Sequence, residues 1–218
     1  MNAMVKPLGP VRERSAPIPA PAGVGGSQEV AVARTLDDLM QVTVVRTLVY
    51  MADQDCPFAE EFDGNDFSGA THLILRRGGE PVGTLRLRWF SGFAKLERVA
   101  VVERHRGTGA DEALLTEAFR IAAAKGYRRM IGHAQARLVP YWRRRFGAEL
   151  LAGGRSFIFS DHVYEPIEFA LEPPNDALDT RTDPLVLLRP EGAWDRPGVL
   201  DRSALRPATN PHRKRRAP

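Results

Sequence analysis

The sequence predicts an α/β (α+β) fold: a mixed central sheet flanked by helices, in a single domain with extended tails. Three observations carry that expectation. Apolar and polar residues alternate through three consecutive segments, Thr71–Leu75, Pro81–Trp89 and Ala94–Val102, joined by short polar turns. Helix-spaced apolar residues precede these segments up to Ala52 and follow them from Gly109 to Lys125. Between the third strand and the second helix stands a glycine-rich loop, Arg106-Gly-Thr-Gly109. Strands and helices mixed along one short chain give a layered architecture around one core.

Taken in order, residues 1–27 are rich in Pro, Ala and Gly and show no apolar period, which predicts a flexible N-terminal arm. Glu29–Ala33 alternates like a strand. Thr35 is a good N-cap, and Asp37 and Asp38 suit the positive end of the helix dipole. Behind it Leu36, Leu39, Met40, Thr43, Val44, Thr47 and Leu48 keep helical spacing. An acidic stretch follows: Asp53, Asp55, Glu60, Glu61, Asp63 and Asp66, with no Lys or Arg among them. The turn Arg77-Gly-Gly-Glu80 marks a hairpin between the first two meander strands. Gly126 ends the second long helix as a C-cap. Arg128–His133 reads as a further central strand, Ala136–Phe146 as a short helix stopped by Gly147, and Ser156–Phe159 and Ile167–Leu171 as late strands. The domain predicted is therefore 28–171. Residues 172–218 form a Pro-rich strap, on which Leu185–Leu188 and Trp194 can dock, and end in the basic run HRKRRAP.

Composition narrows the classes of function. Among 218 residues, 43% are hydrophobic and 27% charged, as in a soluble globular protein with a sizeable core. No apolar run is long enough to span a membrane, and the N-terminal stretch lacks a secretory h-region. One cysteine, Cys56, forbids an internal disulfide and fits a cytoplasmic location. No His/Cys/Asp cluster has metal-ligand spacing, so no metal is expected. The terminal basic run suits an acidic partner or phosphate groups, with a solvated tail as the plainer alternative.

A strand, a glycine-rich loop and a helix in that order can cradle phosphates, because the loop brings backbone N–H groups and a positive dipole end together. Residues 29–171 resemble the GCN5-related N-acetyltransferase (GNAT) superfamily in the order and spacing of elements. That family's phosphate-loop signature, Arg/Gln-x-x-Gly-x-Gly/Ala, reads here Arg106-Gly-Thr-Gly109-Ala-Asp111. The resemblance implies an acetyl-CoA or longer acyl-CoA co-substrate. Its pyrophosphate would lie on Arg106, Gly107, Thr108, Gly109, Ala110 and Asp111, and its thioester arm along Val99, Ala100 and Val101. The last signature position departs from the pattern. Asp111 and Glu112 stabilise the helix start but repel an anion there, so the direction of the Asp111 side chain matters.

Residues 46–98 further resemble the N-acyl-homoserine-lactone synthases. The shared pattern is Arg46-Thr-Leu-Val-Tyr50, Glu61-Phe-Asp63-Gly-Asn-Asp66, Gly83-Thr-Leu-Arg86-Leu and Arg98, with Lys95 where that branch has an acidic residue. The resemblance implies a substrate site built from Arg46, Glu61, Asp63, Asp66, Arg86 and Arg98. The same charges equally predict an ion-pair network that pins the loop to the sheet. For catalysis, Glu97 on the strand lining the acyl group is the first candidate base and His133 the second. Tyr141 is the available phenol near the last helix, two residues from the family's acid position, which is held here by Arg143. The expected reaction is acyl transfer to a small amine or amino-acid-like acceptor. An acyl carrier protein, met by Arg143–Arg145, is the alternative donor, and a non-catalytic binding module is the alternative role.

Overall fold

The structure is a computed structural model that describes residues 27–206. The expected arm and the basic run HRKRRAP lie outside the described residues. The elements are β1 (Gln28–Val32), α1 (Leu36–Arg46), α2 (Phe58–Glu61), β2 (Thr71–Arg77), β3 (Glu80–Phe90), β4 (Phe93–Val101), α3 (Ala110–Ala124), β5 (Arg129–Gln135), α4 (Val139–Phe146), β6 (Glu149–Leu150), β7 (Phe157–Phe159), β8 (His162–Ala170), α5 (Pro184–Leu187) and α6 (Val199–Ser203). The sheet order is β1-β2-β3-β4-β5-β8-β6, with β7 paired to β8. All neighbours are antiparallel except β4 and β5. The expected mixed sheet with helices on its faces is thus the observed architecture.

Both faces of the meander are covered, which explains the unbroken burial of Leu73, Ile74 and Leu75 in β2. Both α1 and α3 pack on β2, β3 and β4. From α3 come Leu114, Leu115, Ala118, Ile121 and Ala122; from α1 come Val42 and Val45, and from the turn after it Val49. The Thr35 hydroxyl accepts from the Asp38 N–H at 3.1 Å, and the Asp38 carboxylate accepts from the Thr35 N–H at 3.0 Å, closing a capping box.

The helix-spaced set beginning at Leu36 is largely the outward one: Leu36, Met40, Val44 and Leu48 are 73%, 60%, 53% and 49% exposed. The buried face instead carries Arg46, whose charge hides the stripe from a hydrophobicity reading. Beyond Arg46 the helix widens into a π-helical turn, Thr47–Ala52, that directs Tyr50 toward β4.

Residues 172–206 lie against the domain as a docked strap. Trp194 packs on the core, Lys125 Nζ meets the Glu191 carboxylate at 2.8 Å, and Arg120 donates to the Gly192 carbonyl at 2.6 Å. Leu187 and Leu188, expected to dock, remain 49% and 61% exposed. Among the described residues no helix is long and apolar enough to cross a membrane.

Candidate active site

Parallel pairing between β4 and β5 is confined to Ala94–Met130 and Lys95–Ile131. Past these residues the two strands part, and the β4 edge from Leu96 onward is left without a strand partner on that side. A bulge helps: register shifts between Thr84 and Arg86 on β3, and Arg98 on β4 takes a positive φ of 53°. The wedge is a cavity of about 350 Å³. Two free β4 carbonyls at its edge are occupied by side chains. Tyr50 Oη donates to the Val99 carbonyl at 2.9 Å, and Arg106 Nε donates to that of Val101 at 3.0 Å.

At the open end of β4 the glycine loop leads into α3. Gly107 and Gly109 have φ of 71° and 81°, conformations in which a side chain is strained, although a Cβ at Gly107 would meet nothing within 4 Å. Gly109 is the N-cap and offers no side-chain hydrogen bond. The first N–H groups of α3 are therefore uncapped donors, which fit an anionic phosphate. The loop is braced by Arg77, whose guanidinium donates to the Thr108 hydroxyl at 2.5 Å and to the Thr108 carbonyl at 2.9 Å. Asp111 turns its carboxylate to α4, where it accepts from the Tyr141 hydroxyl, and Glu112 pairs with Arg145.

This combination of an opened β4–β5 wedge and an uncapped glycine loop is matched by sequence as well as shape. The sequence profile of the acetyltransferase (GNAT) family matches residues 38–148, half of the chain. The chain belongs to the GNAT family. It is 29% identical over 116 residues, 53% of its length, to YjcF of Bacillus subtilis, an uncharacterized N-acetyltransferase of which the match covers 82%. Among solved structures it resembles an acyl-CoA N-acyltransferase from Pseudomonas aeruginosa, with 26% identity and a TM-score of 0.60 over 66% of this chain and 100% of that one. FeeM, an N-acyl amino acid synthase from uncultured soil microbes, shares the fold at 12% identity and a TM-score of 0.57, over 66% of this chain and 91% of its own.

Within this GNAT site, the six charged residues expected at the substrate do come together, but as a network behind the cavity wall. Arg46 reaches Glu61 at 2.5 Å and Asp66 at 2.6 Å; Arg86 reaches Asp63 at 2.6 Å, Asp66 at 2.8 Å and Glu97 at 2.8 Å. Arg98 meets Glu61 at 3.0 Å and Asp63 at 3.3 Å. Arg46, Glu61 and Arg86 are almost fully buried, and only Asp63 and Arg98 of the six line the cavity. Placing Arg46, Glu61, Asp66 and Arg86 at the substrate is therefore corrected: none of the four lines the cavity, and each is paired within the network, Glu61 Oε2 meeting Arg98 Nε as an ion pair without a hydrogen bond. Burial opposes ionisation of Asp63, but hydrogen bonds from Arg86 and from the Asn65 N–H, with the charges of Arg86 and Arg98, together outweigh it and hold the carboxyl well below the usual range. At Glu61 burial prevails over Arg46 and Arg98 and raises the pKa.

The three catalytic candidates separate clearly. Glu97 lines the cavity, yet its carboxylate accepts from Arg86 Nε at 2.9 Å and meets Lys95 Nζ at 3.1 Å. Both of its oxygens are thus engaged by cations. Tyr141 does not line the cavity; its phenol is held by Asp111, and burial together with that carboxylate pushes its pKa up to about 12. His133 lines the cavity with no hydrogen bond or ion pair among the described residues. Half-burial first, and Lys95 second, lower its pKa from 6.5, so the imidazole is neutral at pH 7.

Of the backbone positions expected to hold the donor, Val99 lines the cavity and Ala100 faces the core. Sequence reasoning gave no role to Tyr50, Gln54, Phe157, Phe159 or Tyr164, which all line the cavity. Tyr50 alone carried a signal, as the last residue of the Arg46–Tyr50 pattern. Among the described residues no group of three or more His, Cys, Asp and Glu side chains stands ready for a metal.

Proposed function

We propose that the chain is an N-acyltransferase that moves an acyl group from acyl-CoA to a small primary amine, with His133 as general base. The observation that carries this reading is the unpartnered, neutral His133 inside the β4–β5 wedge, whose open end leads to the uncapped loop at 106–111. A donor pyrophosphate on the N–H groups of that loop leaves its pantetheine arm to run along the β4 edge. The amine gives a proton to His133 as its nitrogen attacks the thioester carbonyl. Backbone N–H on the unpaired β4 edge is placed to meet the oxyanion. The C–S bond then breaks, and the thiolate leaves with its coenzyme.

Calorimetry with acetyl-CoA, followed by a thiol-release assay over a panel of primary amines, tests the proposal. Absence of both binding at millimolar acetyl-CoA and thiol release with any amine sinks it. A second reading, donation from an acyl carrier protein, is favoured by Arg143 and Arg144, which are exposed on α4 without ion-pair partners among the described residues. Arg145 contributes less, since Glu112 holds it. Titration with an acylated carrier protein distinguishes the two donors.

A further inference from the structure

The cavity has two unlike walls. One is the charged strand β4, and the other is the aromatic surface of the β7–β8 hairpin and α4: Phe157, Phe159, Tyr164, Trp142, Leu138 and Ile167. Phe157 stacks on Tyr164 with centroids 5.8 Å apart, and Phe159 meets Tyr164 edge-on at 5.5 Å. This wall is preassembled, yet Phe157 remains 45% exposed. A volume of about 350 Å³ falls at the lower end of the roughly 300–1,000 Å³ that holds a drug-sized ligand, and exceeds what a methylamine and an acetyl group need.

Which charges remain free decides what the acceptor can carry. Lys95 is paired with Glu97 at 3.1 Å. Arg98 is paired with Glu61 and Asp63, donates to the Glu60 carbonyl at 2.7 Å and stacks over Phe159 at 4.9 Å. Arg98 is closed to a substrate carboxylate, and Lys95 could meet one only by sharing itself with Glu97. The opposite holds for Glu60, which lines the same cavity. One of its oxygens accepts from the Ser160 N–H at 2.8 Å, and no cation pairs with it among the described residues. That hydrogen bond ties α2 to the β7–β8 turn, so the free carboxylate and the aromatic wall form one surface. His133 adjoins it, its ring edge-on to Phe157 at 4.9 Å.

Taking the acyltransferase reading as given, we infer that the acceptor is a primary amine borne on an aryl or alkyl body that carries no carboxylate. The body lies on Phe157 and its neighbours. Glu60 draws the ammonium in, and the nitrogen arrives beside His133. An α-carboxylate on the same molecule would come next to the Glu60 carboxylate with no unshared cation to meet it, which is costly.

The decisive pair is phenethylamine and phenylalanine, which differ only in that carboxylate, each offered with acetyl-CoA in the thiol-release assay. Phenethylamine is expected to have a kcat/KM at least about tenfold higher. Phe157→Ala, at an exposed position, should lower kcat/KM for phenethylamine by about tenfold while changing that for ethylamine little. Glu60→Gln should raise KM for both amines. Equal or better use of phenylalanine overturns the inference, and so does a Phe157→Ala enzyme that treats phenethylamine as before. A Phe157→Ala effect that follows acyl length, hexanoyl against acetyl, with the amine indifferent, assigns the wall to the donor and overturns it too. If polar amines or amino acids alone are acylated, this inference falls and the acyltransferase reading stands. If nothing is acylated and acetyl-CoA does not bind, both fall.

Discussion

Two sets of charges meet at the cavity, one centred on β4 and the loop before β2, the other made of Glu60 in α2 and His133 on β5, and they behave oppositely. Partly behind the wall and partly in it, Arg46, Glu61, Asp63, Asp66, Arg86, Glu97 and Arg98 form a closed network in which every guanidinium has at least two carboxylate contacts. In front of it, His133 and Glu60 have no charged partner among the described residues. Partnership separates structure from chemistry here. A saturated charge holds the chain in place, while an unsaturated one in a cavity has capacity left for a substrate. Residue type alone does not make this distinction, since Glu97 and Glu60 are both glutamates lining the same space.

The largest effect is expected from breaking the closed set. Arg86→Met leaves Asp63, Asp66 and Glu97 without their shared cation, and should cost about 3–5 kcal/mol of stability by urea denaturation. A loss under about 1 kcal/mol would mean that the network is not structural. Acid should act on the same set. Asp63 and Asp66 are held below their unfolded pKa, so their contribution is complete above the ordinary carboxylate range and is lost as the pH falls through the lowered values. In Arg86→Met that acid-dependent part should shrink.

Next comes the open set. His133→Gln should lower kcat by about 100-fold or more and leave the urea midpoint unchanged, because the ring makes no hydrogen bond among the described residues. Glu97→Gln should reverse this pattern, with stability falling and activity falling only through it. Activity that depends on Glu97 and not on His133, at equal fold stability, would exchange their roles.

The pH profile gives a smaller and more selective test. Neutral His133 is the working form, so kcat/KM should be flat near pH 7 and fall on the acid side around a midpoint below 6.5. Burial sets most of that displacement and Lys95 adds to it. Lys95→Met should therefore move the midpoint upward without abolishing activity. A midpoint indifferent to Lys95 would place the titrating group elsewhere.

These contrasts explain what could be read from the sequence. The meander, the flanking helices and the glycine loop depend on local periodicity and local turn chemistry, so they were legible. Whether Glu97 is free depends on register: Arg86 and Glu97 face each other across β3 and β4 only because a bulge displaces the pairing after Thr84. One residue of slip would have placed them on opposite faces. The buried face of α1 was hidden because Arg46 lies on it, and its partners come 15 and 20 residues later. The aromatic wall was hidden because Phe157, Phe159 and Tyr164 become neighbours only when β7 folds back on β8.

The last contrast lies in the loop, where the family's small residue is replaced by Asp111. Its carboxylate is hydrogen-bonded by Tyr141 but has no cation among the described residues, unlike Glu112 beside it, which has Arg145. An uncompensated charge in the first turn of α3 opposes an incoming pyrophosphate, though the side chain is turned to α4. Asp111→Asn keeps an oxygen for Tyr141 and removes the charge. A like charge at a helix N-terminus is worth about 0.3–1 kcal/mol, so acetyl-CoA should bind roughly 2–5-fold tighter by calorimetry, with the gain shrinking as salt rises. A gain of about a hundredfold, beyond what a screened surface charge supplies, would show that Asp111 closes the natural site and would favour a binding module over an enzyme. No gain at all would place the carboxylate clear of the phosphates, and the substitution would then serve only the link between α3 and α4.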